Sequence, residues 1–174
     1  MPLDQCTEIV LKYSADKLEQ QCARIENCLD KLTPEQVWAR SGDHENAAGN
    51  LVLHLAGNVR QWILHGAGQQ PDVRQRDTEF AARQMDVAEL KRRLRSTVDE
   101  AAAVIRAVPR ERLTERVTIQ NYHITVLEAI LHVIEHFSGH TGQIIFITKF
   151  LRGEDLGFYT HLKSATAPHG EKIP

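Results

Sequence analysis

Residues 125–153, TVLEAILHVIEHFSGHTGQIIFITKFLRG, decide the fold, because this stretch has the start, the body and the end of one long helix. Thr125 and Glu128 form a capping box, in which each side chain can bond the backbone N–H of the other residue. An apolar run over residues 127–151 follows and stops at Gly153 behind basic side chains, as helix C-termini commonly do. The sequence therefore predicts a long final helix.

Three earlier segments repeat apolar residues at helical spacing. They run from about Leu3 to Leu32, from about Asn46 to His65 and from Asp86 to Val108. The connection from Gln69 to Gln84 is long enough to return along the side of a bundle. The alternation at Val117 and Ile119 is too short to predict a strand. We therefore predict an all-α four-helix bundle with a long crossover between the second and third long helices.

Composition indicates one folded domain. The chain has 174 residues, of which 42% are hydrophobic and 25% charged, as in ordinary globular proteins. We assign residues 1–162 to a single bundle and residues 163–174, which contain two prolines, to a frayed C-terminal tail. A net charge of −2 creates no strong field, so we expect no nucleic-acid partner.

The cysteines and the N-terminal region indicate a cytoplasmic protein. The chain has an odd number of cysteines, namely Cys6, Cys22 and Cys28, and none of them has CxxC spacing. This argues against a disulfide framework. Asp4 and Glu8 stand where a signal peptide would carry positive charge. No stretch reaches 18 apolar residues, so we expect no membrane partner.

The nine histidines are unevenly placed, and three of them follow one face of the final helix. His132, His136 and His140 stand at i, i+4 and i+8, so neighbouring side chains are about 5 to 6 Å apart at Cβ. His54 interrupts the apolar stripe of the second long helix, where a polar ring needs a partner. If these helices are antiparallel, His54 and His140 lie near one level. We predict a metal site formed by His54, His136 and His140.

Three neutral imidazoles with an open fourth position are the ligand set of a catalytic zinc site, although nickel, iron or manganese can occupy the same nitrogens. Two alternatives stay open. The histidines can form hydrogen bonds within a structural bundle that holds no metal. The run from His132 to His136 also reads HxxEH, with Glu135 as general base, but that motif leaves His140 unused and needs a further acidic ligand.

Two glycines flank His140 inside the predicted helix. Gly139 and Gly142 each cost about 0.5 to 1 kcal/mol relative to alanine, so a structural reason is required. We expect close helix packing, with Gly57 on the second long helix as the counterpart.

Two stretches carry a resemblance to a known family. They are NLVLHLAGNVRQWI at residues 50–63 and HFSGHTGQIIFITKFLRG at residues 136–153. With the order His-x-x-x-His-x-Gly-Gln after an earlier helical histidine, the chain resembles the DinB-like (DinB/YfiT-like) superfamily of metal-binding four-helix bundles over nearly its whole length. The resemblance implies an up-down-down-up topology, a metal held by His54, His136 and His140, and a homodimer.

The resemblance also implies a class of reaction. Characterised relatives include S-transferases and isomerases that use bacillithiol or mycothiol, whereas many members have no known reaction. We therefore expect a metal-dependent S-transferase or hydrolase in which the metal activates a low-molecular-weight thiol or water against a small-molecule substrate. His132 and Glu135 are the candidate catalytic residues, as groups that move a proton or orient a ligand. The alternative is a non-catalytic metal-binding stress-response module.

Overall fold

The computed structural model describes residues 3–163. This part of the chain is mostly helical, as the sequence predicts, with one small two-stranded sheet. The C-terminal tail predicted from residue 163 lies, beyond Lys163 itself, outside the described residues. No helix within residues 3–163 has the length and apolar character needed to cross a membrane.

The helices follow the predicted segments closely. They are α1 (Leu3–Lys31), α2 (Pro34–Val37), α3 (Ala48–Val59), α4 (Arg76–Ala81), α5 (Val87–Ala107) and α6 (Val126–Arg152). Short 3₁₀ turns occupy Arg110–Thr114 and Thr160–Lys163. Helix α3 runs directly into a π-helical segment, Arg60–Ala67, a geometry that is rare and often found at functional sites.

Local capping explains where α6 begins and ends. The Thr125 hydroxyl accepts a hydrogen bond from the backbone N–H of Glu128, whose side chain bonds back to the Thr125 N–H. At the other end Gly153 adopts φ 65°, the left-handed conformation that glycine adopts without strain. The predicted capping box and C-terminal glycine are both confirmed.

Besides the short helix α4, a β-hairpin is an element that the sequence did not predict. Strand β1 (Arg116–Ile119) pairs antiparallel with β2 (Tyr122–Thr125), and Ile119 lies opposite Tyr122. Each strand has four residues, too few for alternation to distinguish it from a loop. Ile119 is buried against Gly66, where an added Cβ would lie 2.3 Å from the Ile119 Cδ1 atom. The hairpin is thus stabilised by tertiary contact with the π-helical segment.

The long helices pack around one apolar core. Helix α1 packs against α5 and α6, and α3 with its π-helical continuation packs against the same two helices. The largest fully buried side chains come from all of them. They include Leu18, Ile25, Leu55, Leu94, Ile130 and Phe137. The core therefore holds α3 and α6 side by side, which brings their histidines within reach of each other.

The connection between α3 and α5 is ordered by hydrogen bonds to α3. The side-chain amide of Asn50, a buried residue of α3, donates to the backbone carbonyls of Glu79 and Ala82 at 3.0 and 2.9 Å. Buried backbone carbonyls require such partners. Asn50 thereby holds α4, in the middle of this connection, against the helix that carries His54.

All three cysteines are free thiols, in agreement with the expectation of no disulfide. Burial raises the pKa of the Cys22 thiol to about 12 and also raises that of Cys28. These two side chains therefore behave as small apolar core residues.

Candidate metal centre

Three histidines from two helices meet at one point. His54 lies in the middle of α3 and is 6% exposed, whereas His136 and His140 lie one turn apart on α6 and are half-buried. The ring centroid of His54 is 5.0 Å from that of His136 and 5.1 Å from that of His140. One nitrogen from each ring lies within 4.8 Å of the other two, so the group could hold a metal ion.

The protonation of His54 follows from its hydrogen bonds. Its Nδ1 lies 3.1 Å from the Oε2 atom of Glu79. An ionised carboxylate only accepts hydrogen bonds, so Nδ1 carries the proton and donates it. In the neutral ring Nε2 then has the free lone pair, and this atom lies 3.1 Å from Nε2 of His136. The nitrogen that can bind a metal is therefore the one that points at the cluster.

His140 is oriented in the same way by a different acceptor. Its Nδ1 lies 2.6 Å from the side-chain oxygen of Gln143, one turn further along α6. With Nδ1–H donating to this amide, Nε2 of His140 is left unprotonated. Metal-binding histidines characteristically donate their second ring nitrogen to such a partner. His54 and His140 both show this arrangement.

The two histidines of α6 in the cluster favour the neutral form. Burial, together with the neighbouring His140 and His54, lowers the pKa of His136 to about 3. Burial also lowers the pKa of His140, against the hydrogen bond that its Nδ1–H donates to Gln143, which raises the pKa. Neutral imidazole is the form that ligates metals.

Glu79, which bonds His54, is itself held by Arg74. The guanidinium Nε donates to Oε1 of Glu79 and Nη2 donates to Oε2, both at 2.8 Å. Burial alone would raise the pKa of Glu79, but hydrogen bonds from Arg74 and His54 outweigh it and lower the pKa. The carboxylate therefore stays ionised although it is only 9% exposed.

Arg74 also makes a hydrogen bond to Gln61. Its Nη1 donates to the side-chain oxygen of Gln61 at 3.0 Å, and the same oxygen accepts from Gln120 of the hairpin turn at 2.9 Å. The Gln61 amide donates to Asp72 at 2.8 Å. A chain of hydrogen bonds thus links the hairpin, the π-helical segment and the crossover to His54.

Sequence reasoning missed Glu79 and Arg74. It showed that a polar ring in the apolar stripe of α3 needs a partner, but Glu79 lies 25 residues away in a segment without helical periodicity. The sequence contains no pattern that would single out this carboxylate. Only the folded crossover brings it to His54.

Gly57, Gly139 and Gly142 do not make the close helix contacts that the sequence predicted. A Cβ at position 57 would lie 1.9 Å from Oε1 of Glu79, so Gly57 makes room for the carboxylate. Gly139 and Gly142 have nothing within 4 Å of an added Cβ. The prediction that these three glycines allow close helix packing is therefore wrong, because each faces either a side chain from the crossover or open space.

The two candidate catalytic residues lie beside the cluster and do not join it. His132 is half-buried with its ring centroid 3.9 Å from the ring of Trp62 and 5.7 Å from that of His136. Burial lowers the pKa of His132. Glu135 is exposed on α6. The HxxEH alternative gains no support, because His136 groups with His54 and His140 instead of with His132.

Three buried polar atoms on this side of the molecule lack a hydrogen-bond partner within the described chain. They are Asn58 Oδ1, Trp62 Nε1 and His136 Nδ1. Asn58 and Trp62 stand one and two turns after His54 on the same helical face. Buried polar atoms normally have partners, so these positions can accept water or a ligand group.

An open groove of about 950 Å³ runs along α6 next to the cluster. Gly139, Gly142 and Gln143 line it, and its apolar wall includes Phe146 and Phe150, which are 70% and 78% exposed. This volume is within the range of small-molecule sites. The two glycines therefore leave their own part of the groove wall free of side-chain atoms.

The fold and the site define a class: a mostly helical protein in which α3 and α6 supply three histidines able to hold a metal ion. More particularly, the chain belongs to the family described as a protein of unknown function, DUF1572, which it matches over residues 5–164. This is a DinB-like family, so the resemblance inferred from the two histidine-containing stretches is confirmed. A search among curated proteins found no match.

Proposed function

We propose that His54, His136 and His140 hold one divalent metal ion and that the protein is a metal-dependent S-transferase or hydrolase acting on a small molecule. Zinc is the first choice of metal, with nickel, iron or manganese as alternatives. The observation that carries the proposal is the meeting of three imidazole nitrogens within 4.8 Å, drawn from two separate helices. The family description names no reaction, so the chemistry is argued from these residues.

The spacing of two of the three donor nitrogens supports such an ion. Zinc–nitrogen bonds of about 2.0 to 2.1 Å in a tetrahedral site place two ligand nitrogens roughly 3.3 Å apart. Nε2 of His54 and Nε2 of His136 are 3.1 Å apart, close to that separation. Three protein ligands leave a fourth position for a nucleophile, as in catalytic zinc sites.

A divalent metal in this position would deprotonate a bound thiol, or lower the pKa of a bound water to about 7, and so supply a nucleophile at neutral pH. The protein's own residues orient the histidine ligands. His54 is fixed by Glu79, and His140 by Gln143. We assign His132 to proton transfer or ligand orientation, since its pKa is lowered and its ring lies beside His136. Glu135, exposed on the same helix, is the second candidate for this role.

The same proposal includes the topology. We infer that α1, α3, α5 and α6 form an up-down-down-up bundle, that residues 1–162 are one domain, and that two chains associate as a homodimer. The mutual packing of the four long helices supports the bundle. The exposed rings of Phe146 and Phe150 on α6 support an association surface, because large exposed apolar patches commonly mark interfaces.

The proposal is tested in two stages. Protein purified without a nickel column is analysed for metal by mass spectrometry, and we expect about one divalent ion per chain. The consumption of electrophiles is then measured with low-molecular-weight thiols, and without them for hydrolysis, in the wild type and in His54→Ala, His136→Ala and His140→Ala. His123→Ala, at an exposed position on β2 outside the cluster and the groove, is the matched control.

Each result has a distinct meaning. Turnover that is lost in the three cluster variants and kept in His123→Ala supports the enzyme. Metal binding without turnover in any thiol favours the non-catalytic stress-response module. A chain that takes up no metal under any condition contradicts both and leaves a structural bundle.

A further inference from the structure

We propose that Glu79 is a positioning residue for the metal site: its carboxylate fixes the His54 ring so that the Nε2 atom faces the ion. Arg74 orients this carboxylate, and Gly57 leaves the space for it. The inference rests on the proposed metal site and adds the residues that set its geometry. None of the three belongs to the ligand set.

Glu79 is placed to orient a ligand and not to be one. Its Oε2 contacts Nδ1 of His54, whereas the cluster lies on the Nε2 side of the same ring. The two lone-pair directions of an imidazole diverge, so one ion cannot bind Nε2 and the carboxylate that bonds Nδ1. A carboxylate on the second nitrogen fixes the tautomer and the ring angle and makes the ligand more basic.

Arg74 gives the carboxylate a single orientation. The fork of two hydrogen bonds uses both oxygens of Glu79, and the Arg74 side chain is only 2% exposed. Nη2 of Arg74 also lies 3.1 Å from Nδ1 of His54. If Nδ1 accepted from Arg74, its lone pair would face the anionic Oε2 atom, so we assign the proton to Nδ1.

Gly57 is required because the carboxylate lies against the α3 backbone. It follows His54 by three residues, and an added Cβ would lie 1.9 Å from Oε1 of Glu79 and 3.2 Å from Nε of Arg74. A Cβ is fixed to the helix backbone and cannot move aside. Alanine at this position therefore displaces the carboxylate from His54 without changing any ligand.

The other helix provides matched controls for this substitution. Gly139 and Gly142 are also helix-interior glycines close to a cluster histidine, and a Cβ at either meets nothing within 4 Å. A change of helix propensity is common to all three positions. Only the change at position 57 moves the carboxylate.

The experiment measures zinc affinity by competition with a chromophoric chelator, on protein shown to be folded by circular dichroism. We expect Gly57→Ala and Glu79→Gln each to weaken zinc binding by about 10- to 100-fold, the usual cost of losing a partner of a metal-bound histidine. Glu79→Gln keeps the size of the side chain, and its amide can donate to Nδ1 and so favour the wrong tautomer. Gly139→Ala and Gly142→Ala should bind zinc like the wild type.

A second readout separates positioning from simple support of the fold. In nitrogen-15 spectra of the metal-free protein, His54 should carry its proton on Nδ1 in the wild type and lose that preference in Glu79→Gln. If Gly57→Ala fails to fold, Glu79→Gln decides the question alone.

The possible failures are distinguishable. Wild-type zinc binding that depends on His136, combined with unchanged affinity in Glu79→Gln and in folded Gly57→Ala, overturns the positioning role and leaves the proposed site intact. Absence of zinc binding in the wild type overturns the proposed site and this inference together.

Discussion

His54 and His140 have the same hydrogen-bond pattern in contrasting surroundings. His54 is buried and donates to an ionised carboxylate, which is in turn held by a buried arginine. His140 is half-buried and donates to Gln143, an exposed neutral amide, beside glycines that face open space. The α3 side of the cluster is thus built from buried charges, and the α6 side borders an open groove.

The contrast shows how such a site can combine a fixed ligand with room for a substrate. A buried carboxylate that accepts hydrogen bonds on both oxygens holds one ring in one orientation, at the cost of desolvating two charges. A ligand near the surface needs less support and leaves space beside it. The first arrangement makes α3 sensitive to substitution, and the second makes α6 tolerant of it.

The largest effect is expected where the buried charges are separated. Arg74→Met leaves the carboxylate of Glu79 buried without its partner, which should lower the free energy of unfolding by about 3 to 5 kcal/mol. Urea denaturation of the wild type and the variant measures it. A loss below about 1 kcal/mol would show that Arg74 and Glu79 behave like a surface ion pair. The α3 side of the cluster would then not differ from the α6 side in the way described above.

Zinc should stabilise the folded protein through both sides of the cluster. At a free zinc concentration of about 100 times the dissociation constant, binding adds roughly 2.7 kcal/mol to the free energy of unfolding. We expect the melting temperature to rise with zinc in the wild type and in His123→Ala, and to stay constant in His136→Ala. An equal rise in His136→Ala would mean that zinc binds elsewhere.

Surface ion pairs provide a comparison for the buried one. On the outside of α5, Arg106 bonds Glu19 and Asp16 of α1 and is 41% exposed. Because such pairs are screened by water, Arg106→Ala should cost at most about 1 kcal/mol. The urea midpoint at pH 7 measures this loss.

The same pairs predict a pH dependence. The hydrogen bond from Arg106 lowers the pKa of Glu19, and hydrogen bonds from Lys12 and Arg106 lower that of Asp16. Carboxyl groups with a depressed folded-state pKa stabilise the fold above their unfolded pKa, near 4, and lose that contribution as the pH falls through the folded value. The difference between wild type and Arg106→Ala should therefore be full at pH 7 and shrink below pH 4. A difference that grows in acid would contradict the assignment.

The smallest effects are expected at the glycines of α6. Gly139→Ala and Gly142→Ala should each stabilise the protein by about 0.5 to 1 kcal/mol, because alanine favours the helix and an added Cβ meets no atom. Thermal unfolding measures the gain. Destabilisation by either change would show that the groove wall is closed in solution.

The sequence predicted the parts of the fold that depend on neighbours along the chain. Capping at Thr125 and Gly153 marks the ends of α6, and spacing of four residues places His136 and His140 on one face. His54 could be singled out because a histidine in an apolar stripe is unusual. These signals depend on residues close together in the sequence, so they can be recognised without knowledge of the fold.

The features that the sequence did not reveal all depend on distant contacts. Glu79 reaches His54 only because Asn50 and Arg74 fold the crossover onto α3. Gly57 was paired with the wrong neighbours, since a glycine's sequence position does not show what approaches it. The four-residue strands of the hairpin were missed for the same reason, because their stability comes from packing on the π-helical segment.

The most direct test of the central claim is a zinc titration of protein prepared without exposure to added metal, in the wild type and in the three cluster variants. The account predicts about one zinc ion bound per wild-type chain and loss of that binding in His54→Ala, His136→Ala and His140→Ala alike. Retention of wild-type affinity in His54→Ala would contradict it, because the site would then not be shared between α3 and α6.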